Sequence, residues 1–134
     1  MAKTRVMTFI DWYLPGYKAG GPIRSVANLV EALHEEYDFS IVTTDRDLGA
    51  QEGYDGIESD VWIKGDKGRV WYASPTHLSY RHLRSLIFNN DFEVLYVQSM
   101  FSLRFSLFPL WVTRALRPEA KMVLAPRGML HAGA

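Results

Sequence analysis

The sequence predicts an α/β fold, a three-layer sandwich built on a mostly parallel sheet. Three observations predict it. Apolar β-favouring runs alternate repeatedly with segments of helical periodicity. The first such unit, Thr4 to Leu33, reads as a strand, a glycine-rich turn and an amphipathic helix in that order. The whole chain, at 134 residues, is long enough for one compact core.

Val6, Met7, Phe9 and Ile10 form a compact apolar run, the pattern of an internal strand covered on both faces. Asp11 ends it. The loop from Trp12 to Gly20 carries Pro15 and Gly16 and delivers the chain to Gly20-Gly21-Pro22. Pro22 suits the first helical position, which needs no intrahelical N–H, with Gly21 in the cap position. Ile23, Val26, Ala27, Val30 and Leu33 then recur at helical spacing, while Arg24, Ser25, Asn28, Glu31 and Glu35 fall mainly on the other side.

A backbone that turns this way into a helix start offers the N–H groups of Gly21, Ile23 and Arg24 to an anion, and the helix field adds attraction. Neither a GxGxxG fingerprint nor a GxxxxGK[ST] loop is present, so two readings of the glycine pair stand side by side. One is an anion cradle; the other is glycine that permits close helix packing. Arg24 has a similar pair of readings, a helper to the cradle or a solvated arginine.

Phe39 to Thr43 predicts a second strand beside the first, through a right-handed crossover. Asp45 lies just past it, on the edge where parallel sheets present functional loops, and can serve either a sugar or nucleotide hydroxyl or the local turn. Gly49, Gly53 and Gly56 mark an extended surface loop. The acidic residues Glu58 to Asp60 have no metal-binding periodicity.

Val61-Trp62-Ile63 and Arg69 to Ala73 flank the turn-like Lys64 to Gly68, which predicts a small hairpin. The second segment can also continue the parallel sheet, and both hold if the first is an added edge strand. Trp62, Trp71 and Tyr72 can stack on a carbohydrate or supply core contacts. After Ser74-Pro75-Thr76, the spacing from His77 to Phe88 predicts a crossover helix with a locally basic patch of His77, Arg81, His82 and Arg84. His77 and His82 lack the i,i+4 spacing of paired helical metal ligands.

Phe92 to Val97 predicts another strand, ending in Gln98-Ser99 at a loop edge. A helix over Phe101 to about Arg114 follows, with Pro109 predicting a kink or break near Phe108. Its apolar residues, Phe101 to Val112, are too numerous for one packing stripe, so some meet a partner, the rest of a larger protein or a membrane surface. Lys121 to Ala125 is the last strand candidate. The chain then runs to Ala134 without a further periodic helix, which reads as a cut through a larger unit.

The formal net charge is zero, so composition makes no electrostatic case for a nucleic-acid partner. Absent cysteine excludes disulfides, thiolate nucleophiles and cysteine-ligated metal, and is compatible with a reducing cytoplasm. No apolar run is long enough for a membrane span, which leaves peripheral attachment at the cytoplasmic face of a membrane as the form any membrane contact would take.

Taken together, WYLPGYKAGGPIRSVANLVEAL, DFEVLYVQS and KMVLAPRGML resemble the N-terminal domain of a retaining GT-B glycosyltransferase of family 4. The resemblance covers nearly the whole chain and the first half of a member enzyme; GGPIRSVANLVEAL and APRGML are its most specific pieces. It implies that residues 1–134 are a Rossmann-like half of a GT-B fold, forming the acceptor side. A further C-terminal domain would recognise the donor nucleotide sugar. No cofactor is implied beyond that donor, and the acceptor would be a saccharide or glycolipid, as in polysaccharide biosynthesis. The isolated fragment is expected to be inactive.

The resemblance also implies that the Gly20-Gly21 loop faces the interdomain cleft near the donor diphosphate. Where family members commonly place a histidine after the later strand, this chain has Pro126-Arg127-Gly128, and His131 is not carried over. Arg127 is the catalytic-site candidate, positioning phosphate or sugar oxygens with its planar guanidinium, or else fastening its loop to an acidic neighbour. The substrate-binding candidates are Asp11, Lys18, Gly20, Gly21, Arg24, Asp45 and Gln98. Asp11 would contact an acceptor; a lone carboxylate does not make a glycosidase pair. Two other classes remain: a dinucleotide-dependent enzyme such as a nucleotide-sugar epimerase, which the first turn's glycine pattern does not fit, and a nonenzymatic α/β binding or regulatory domain docking a partner through the aromatic 101–111 segment.

Overall fold

The computed structural model describes residues 3–18, 20–97 and 107–124. Among them the elements run β1 (Thr4–Phe9), α1 (Gly21–Leu33), β2 (Tyr37–Thr44), β3 (Trp62–Gly65), β4 (Gly68–Ala73), α2 (Tyr80–Asn89), β5 (Val94–Val97), α3 (Phe108–Leu116) and β6 (Lys121–Leu124). The result is a mixed α/β fold with a central sheet flanked by helices.

The sheet order is β3-β4-β2-β1-β5-β6. Every pairing is parallel except β3 with β4. Setting the antiparallel edge strand aside, the chain starts at the centre with β1, builds outward through β2 and β4, then returns to build the other way through β5 and β6. This is a doubly wound order, and its reversal falls between β1 and β5. The helices that follow these two strands, α1 and α3, pack on opposite faces of the sheet.

Side-chain alternation on β1 feeds both layers. Val6 and Ile10 join Phe39, Ile41 and the α1 residues Ile23, Val26 and Val30 on one face. Met7 and Phe9 join Val42, Leu95, Val97 and the helical residues Leu83, Leu86, Ile87 and Val112 on the other. The continuous apolar run of β1 is therefore buried on both sides, as its composition predicts.

Local chemistry sets the boundaries. The Gly65 and Gly68 partners enclose a two-residue Asp66-Lys67 turn, so the hairpin and the parallel continuation predicted for this region both occur. The helix expected from His77 starts instead at Tyr80, because the Ser79 side chain caps it by accepting the His82 N–H, and Pro75–His77 forms a separate 3-10 turn. At the other end of α2, Arg117 donates from Nε to the Ile87 carbonyl at 3.2 Å and from Nη2 to the Phe88 carbonyl at 3.1 Å. These bonds satisfy carbonyls that a helix end leaves without partners.

Pro109 sits in the first turn of α3, a position that needs no N–H donor, and not at a kink inside a described helix. Residues 101–106 and Ala125, expected to extend α3 and β6, lie outside the described residues. No helix among the described residues is long and apolar enough to cross a membrane.

Candidate functional site

The carboxyl ends of β1 and β2 send out the two loops that carry most of the predicted site. Asp11 follows β1 by two residues; its carbonyl accepts the Thr44 hydroxyl at 2.7 Å, and the preceding Ile10 N–H reaches the Val42 carbonyl at 3.0 Å. The two strand ends are thereby fastened to each other, and Asp11 is half-buried between them.

The loop after Asp11 is held from several directions. Tyr72, on β4, donates its hydroxyl to the Leu14 carbonyl at 2.7 Å, and Tyr54 donates to the Tyr13 carbonyl at 3.2 Å. Asp47 accepts the N–H groups of Tyr17 and Lys18 at 3.2 Å each, and that of Leu48 at 2.8 Å. Desolvation raises the Asp47 carboxyl, but these three amide bonds, with the nearby Lys18 charge, outweigh it and hold the group below its usual range. Burial pushes the Tyr13 and Tyr54 hydroxyls up to about 12, so both remain neutral. Gly16 sits beneath Tyr54, where an added Cβ would lie 2.3 Å from the Tyr54 hydroxyl oxygen. Any side chain there would push the clamp open.

The clamp delivers the chain to α1. Gly20, and not Gly21, is the cap residue, with φ 73° and ψ −119°, a conformation that L-side chains rarely adopt. Gly21 is the first helical residue and Pro22 the second. This one-residue shift has a chemical consequence, since the Arg24 N–H expected to face an anion already donates to the Gly20 carbonyl at 3.3 Å. Gly21 and Ile23 keep N–H groups with no acceptor among the described residues.

The geometry also separates the two readings of the glycine pair. A Cβ built on Gly20 or Gly21 meets no non-adjacent described residue within 4 Å. Among the described residues, close helix packing therefore accounts for neither glycine, and backbone conformation accounts for Gly20. Lys18 and Arg24 flank the pair in sequence and are both exposed, the Lys18 charge acting on the Asp47 carboxylate.

Asp45 differs from the others. It is buried, and its carboxylate accepts Arg46 Nε at 2.8 Å and the Ser59 hydroxyl at 2.7 Å. Its own N–H and carbonyl bond Ala73 and Tyr54. These contacts favour its turn role, tying the loop after β2 to β4. Gln98 and Arg127 lie outside the described residues, as do APRGML and His131. Sequence reasoning missed Asp47, Tyr54 and Tyr72 as the groups that shape the glycine loop. Tyr72 was legible only as a core or stacking aromatic, and the Asp45-Arg46-Asp47 run only as a polar connection.

The arrangement offers two helix-start amides, two exposed cations and one half-buried carboxylate at the edge where a doubly wound sheet receives ligands. Chemically, that set can hold a phosphate group and orient a hydroxyl. Compared with models of protein families, with curated proteins and with solved structures, the chain matches none.

Proposed function

We propose that this chain is the N-terminal, acceptor-side domain of a retaining GT-B glycosyltransferase resembling family 4, and that the glycine loop is one wall of its transfer cleft. In this reading the sheet is the Rossmann-like half of a GT-B fold, and a second domain beyond Ala134 supplies most of the donor contacts. A nucleotide sugar lies between the domains. The acceptor is a saccharide or a glycolipid, the latter reached by peripheral contact at the cytoplasmic face of a membrane.

The observation that supports the reading is the helix start at Gly20-Gly21, where packing against the described residues explains neither glycine and exposed Lys18 and Arg24 flank the pair in sequence. Departure of a nucleoside diphosphate places negative charge on phosphate oxygens, and fixed N–H donors and cations stabilise it without reorganising at the moment of reaction. Asp11 would hold the acceptor hydroxyl, Arg127 would position phosphate or sugar oxygens, and Gln98 would add a polar contact from the end of β5. Holding both reactants in one geometry supplies the remainder of the effect.

The test has two arms. Titration of the chain with UDP should shift the backbone amides of Gly20, Gly21 and Ile23, and Lys18→Ala or Arg24→Ala should weaken that response. The intact protein should transfer sugar from a panel of UDP- and GDP-sugars with retention, while the chain alone shows negligible turnover. Unmoved amides together with no transfer would sink the reading, and an Arg127→Ala enzyme with unchanged donor affinity and turnover would remove Arg127 from it.

A second reading is favoured by Trp111, which is 77% exposed beside Leu107, at 44%. Both line an apolar groove of about 700 Å³ together with Tyr80 and Met122. A nonenzymatic α/β domain docking a partner through this face would lose its complex on Trp111→Ala and show no transfer in the intact protein.

A further inference from the structure

A second groove, lined by none of the residues proposed for the transfer cleft, runs between the β3–β4 hairpin and α2. It encloses about 410 Å³, and its lining includes Trp62, Trp71, Asp60, His77, His82 and Asn89. That volume is of the size that small-molecule sites occupy.

The floor is aromatic. Trp62 and Trp71 are direct cross-strand partners, with ring centroids 5.5 Å apart at 70°. Both indoles are only half-buried. Arg69 lies 4.0 Å from the Trp62 ring centroid and is itself fixed, donating to the Ser40 hydroxyl at 2.8 Å and to Asn90 Oδ1 at 3.1 Å. The floor is thus held rigid from one side.

The walls are polar. His82, Ser85 and Asn89 recur along α2 at a spacing that keeps them on one helix face. Opposite them, Asp60 accepts the Ser74 N–H at 2.9 Å and the Ser74 hydroxyl at 2.8 Å, and its Oδ2 lies 3.2 Å from His77 Nδ1. Asp60 holds φ 64°, an uncommon conformation for a residue with a side chain, and such conformations persist where surrounding bonds over-determine them. His82 Nδ1 lies 2.7 Å from the Ser79 hydroxyl. With both Nδ1 atoms tied and the two imidazoles 4.5 Å apart, each Nε2 is left without a partner among the described residues.

We propose that this groove is a binding subsite for a neutral saccharide. Indole surface receives the C–H face of a sugar ring. The imidazoles, the Asn89 amide and the Ser85 hydroxyl address ring hydroxyls as donors and acceptors, a mixture that a neutral polyol matches and a single-sign ion does not. The Asp60 carboxylate at the rim disfavours an anion. The inference rests on the groove's own chemistry and stands or falls separately from the transfer reading.

The test follows the indole N–H signals of the four tryptophans in the isotopically labelled chain. Maltohexaose, cellohexaose and mannohexaose at millimolar concentration are the saccharide probes, and UMP is the competing arm. At least one saccharide should shift Trp62 and Trp71 saturably while leaving Trp12 and Trp111 in place. His82→Ala and Asn89→Ala, both exposed positions that keep the core intact, should each weaken that binding by about tenfold with unchanged thermal stability. The proposal is overturned if no saccharide moves either indole, if UMP moves them and the saccharides do not, or if both variants bind as the parent does.

Discussion

Replacing Gly20 with alanine should cost more stability than replacing Gly21, although the residues are neighbours. Neither new Cβ meets a non-adjacent described residue within 4 Å, so tertiary sterics among the described residues cancel from the comparison. What remains is backbone. At Gly20 the φ of 73° forces an L-residue into a sparsely populated region, at a cost of about 1–3 kcal/mol. At Gly21 the backbone is helical, where alanine is intrinsically favoured over glycine by roughly 0.5–1 kcal/mol, but Pro22 crowds the Cβ of a helical residue before it, so the net change is small. Unfolding entropy of about 2.1 cal/mol/K per residue gives a chain of 134 residues about 0.28 kcal/mol per kelvin. A gap of about 2 kcal/mol between the variants therefore separates their midpoints by about 7 °C. Thermal unfolding followed by circular dichroism, checked by urea titration, measures it. If Gly20→Ala proves as stable as Gly21→Ala, the cap assignment is wrong and with it the placement of the Gly21 and Ile23 amides. Because Gly21→Ala keeps the Gly21 N–H, its UDP response should survive.

Asp47 has a folded pKa below its usual value, so its contribution is complete above the unfolded carboxylate range near pH ~4 and is lost as pH falls through the lowered folded pKa. Asp47→Asn should accordingly lose less stability than the parent between neutral pH and pH ~3, read by urea midpoints; equal losses would remove Asp47 as the loop's clamp. Tyr13 and Tyr54, pushed up to about 12, hold their protons more tightly in the folded state. Their contribution is complete below pH ~10 and lost as pH rises toward the folded values, so phenolate absorbance should show part of the tyrosine titration delayed until the fold opens. Leu83, on the inner face of α2, is fully buried, and Leu83→Ala should cost about 3 kcal/mol in chemical denaturation.

Much of the fold was legible because it is written in short-range patterns. The double-sided apolar run of β1, the stripe of Ile23, Val26 and Val30, and the glycines around Asp66-Lys67 each specify local structure without knowledge of the rest of the chain. The helix start was legible to within one residue and no better, since either glycine satisfies a cap by composition and only φ distinguishes them. The glycine-loop clamp was not legible, because Tyr72 to Leu14 and Asp47 to Tyr17 are contacts between segments 58 and 30 residues apart. The meeting of His77 with His82 escaped for a different reason. Helical spacing rules were applied across a boundary, whereas His77 belongs to a 3-10 turn that precedes α2.

Tyr72 has contacts on two sides. Its hydroxyl secures the Leu14 carbonyl in the glycine loop, while its own carbonyl accepts the Asp60 N–H at 2.8 Å, at the rim of the tryptophan groove. One residue is thus a joint common to both proposed sites. Any free energy by which an occupant of the groove shifts this joint acts on the glycine loop as well, and thermodynamic linkage makes the effect reciprocal: an anion at the loop would change saccharide affinity by the factor by which the saccharide changes its own. Removing the Tyr72 hydroxyl alone would cut that connection while leaving the groove's lining untouched.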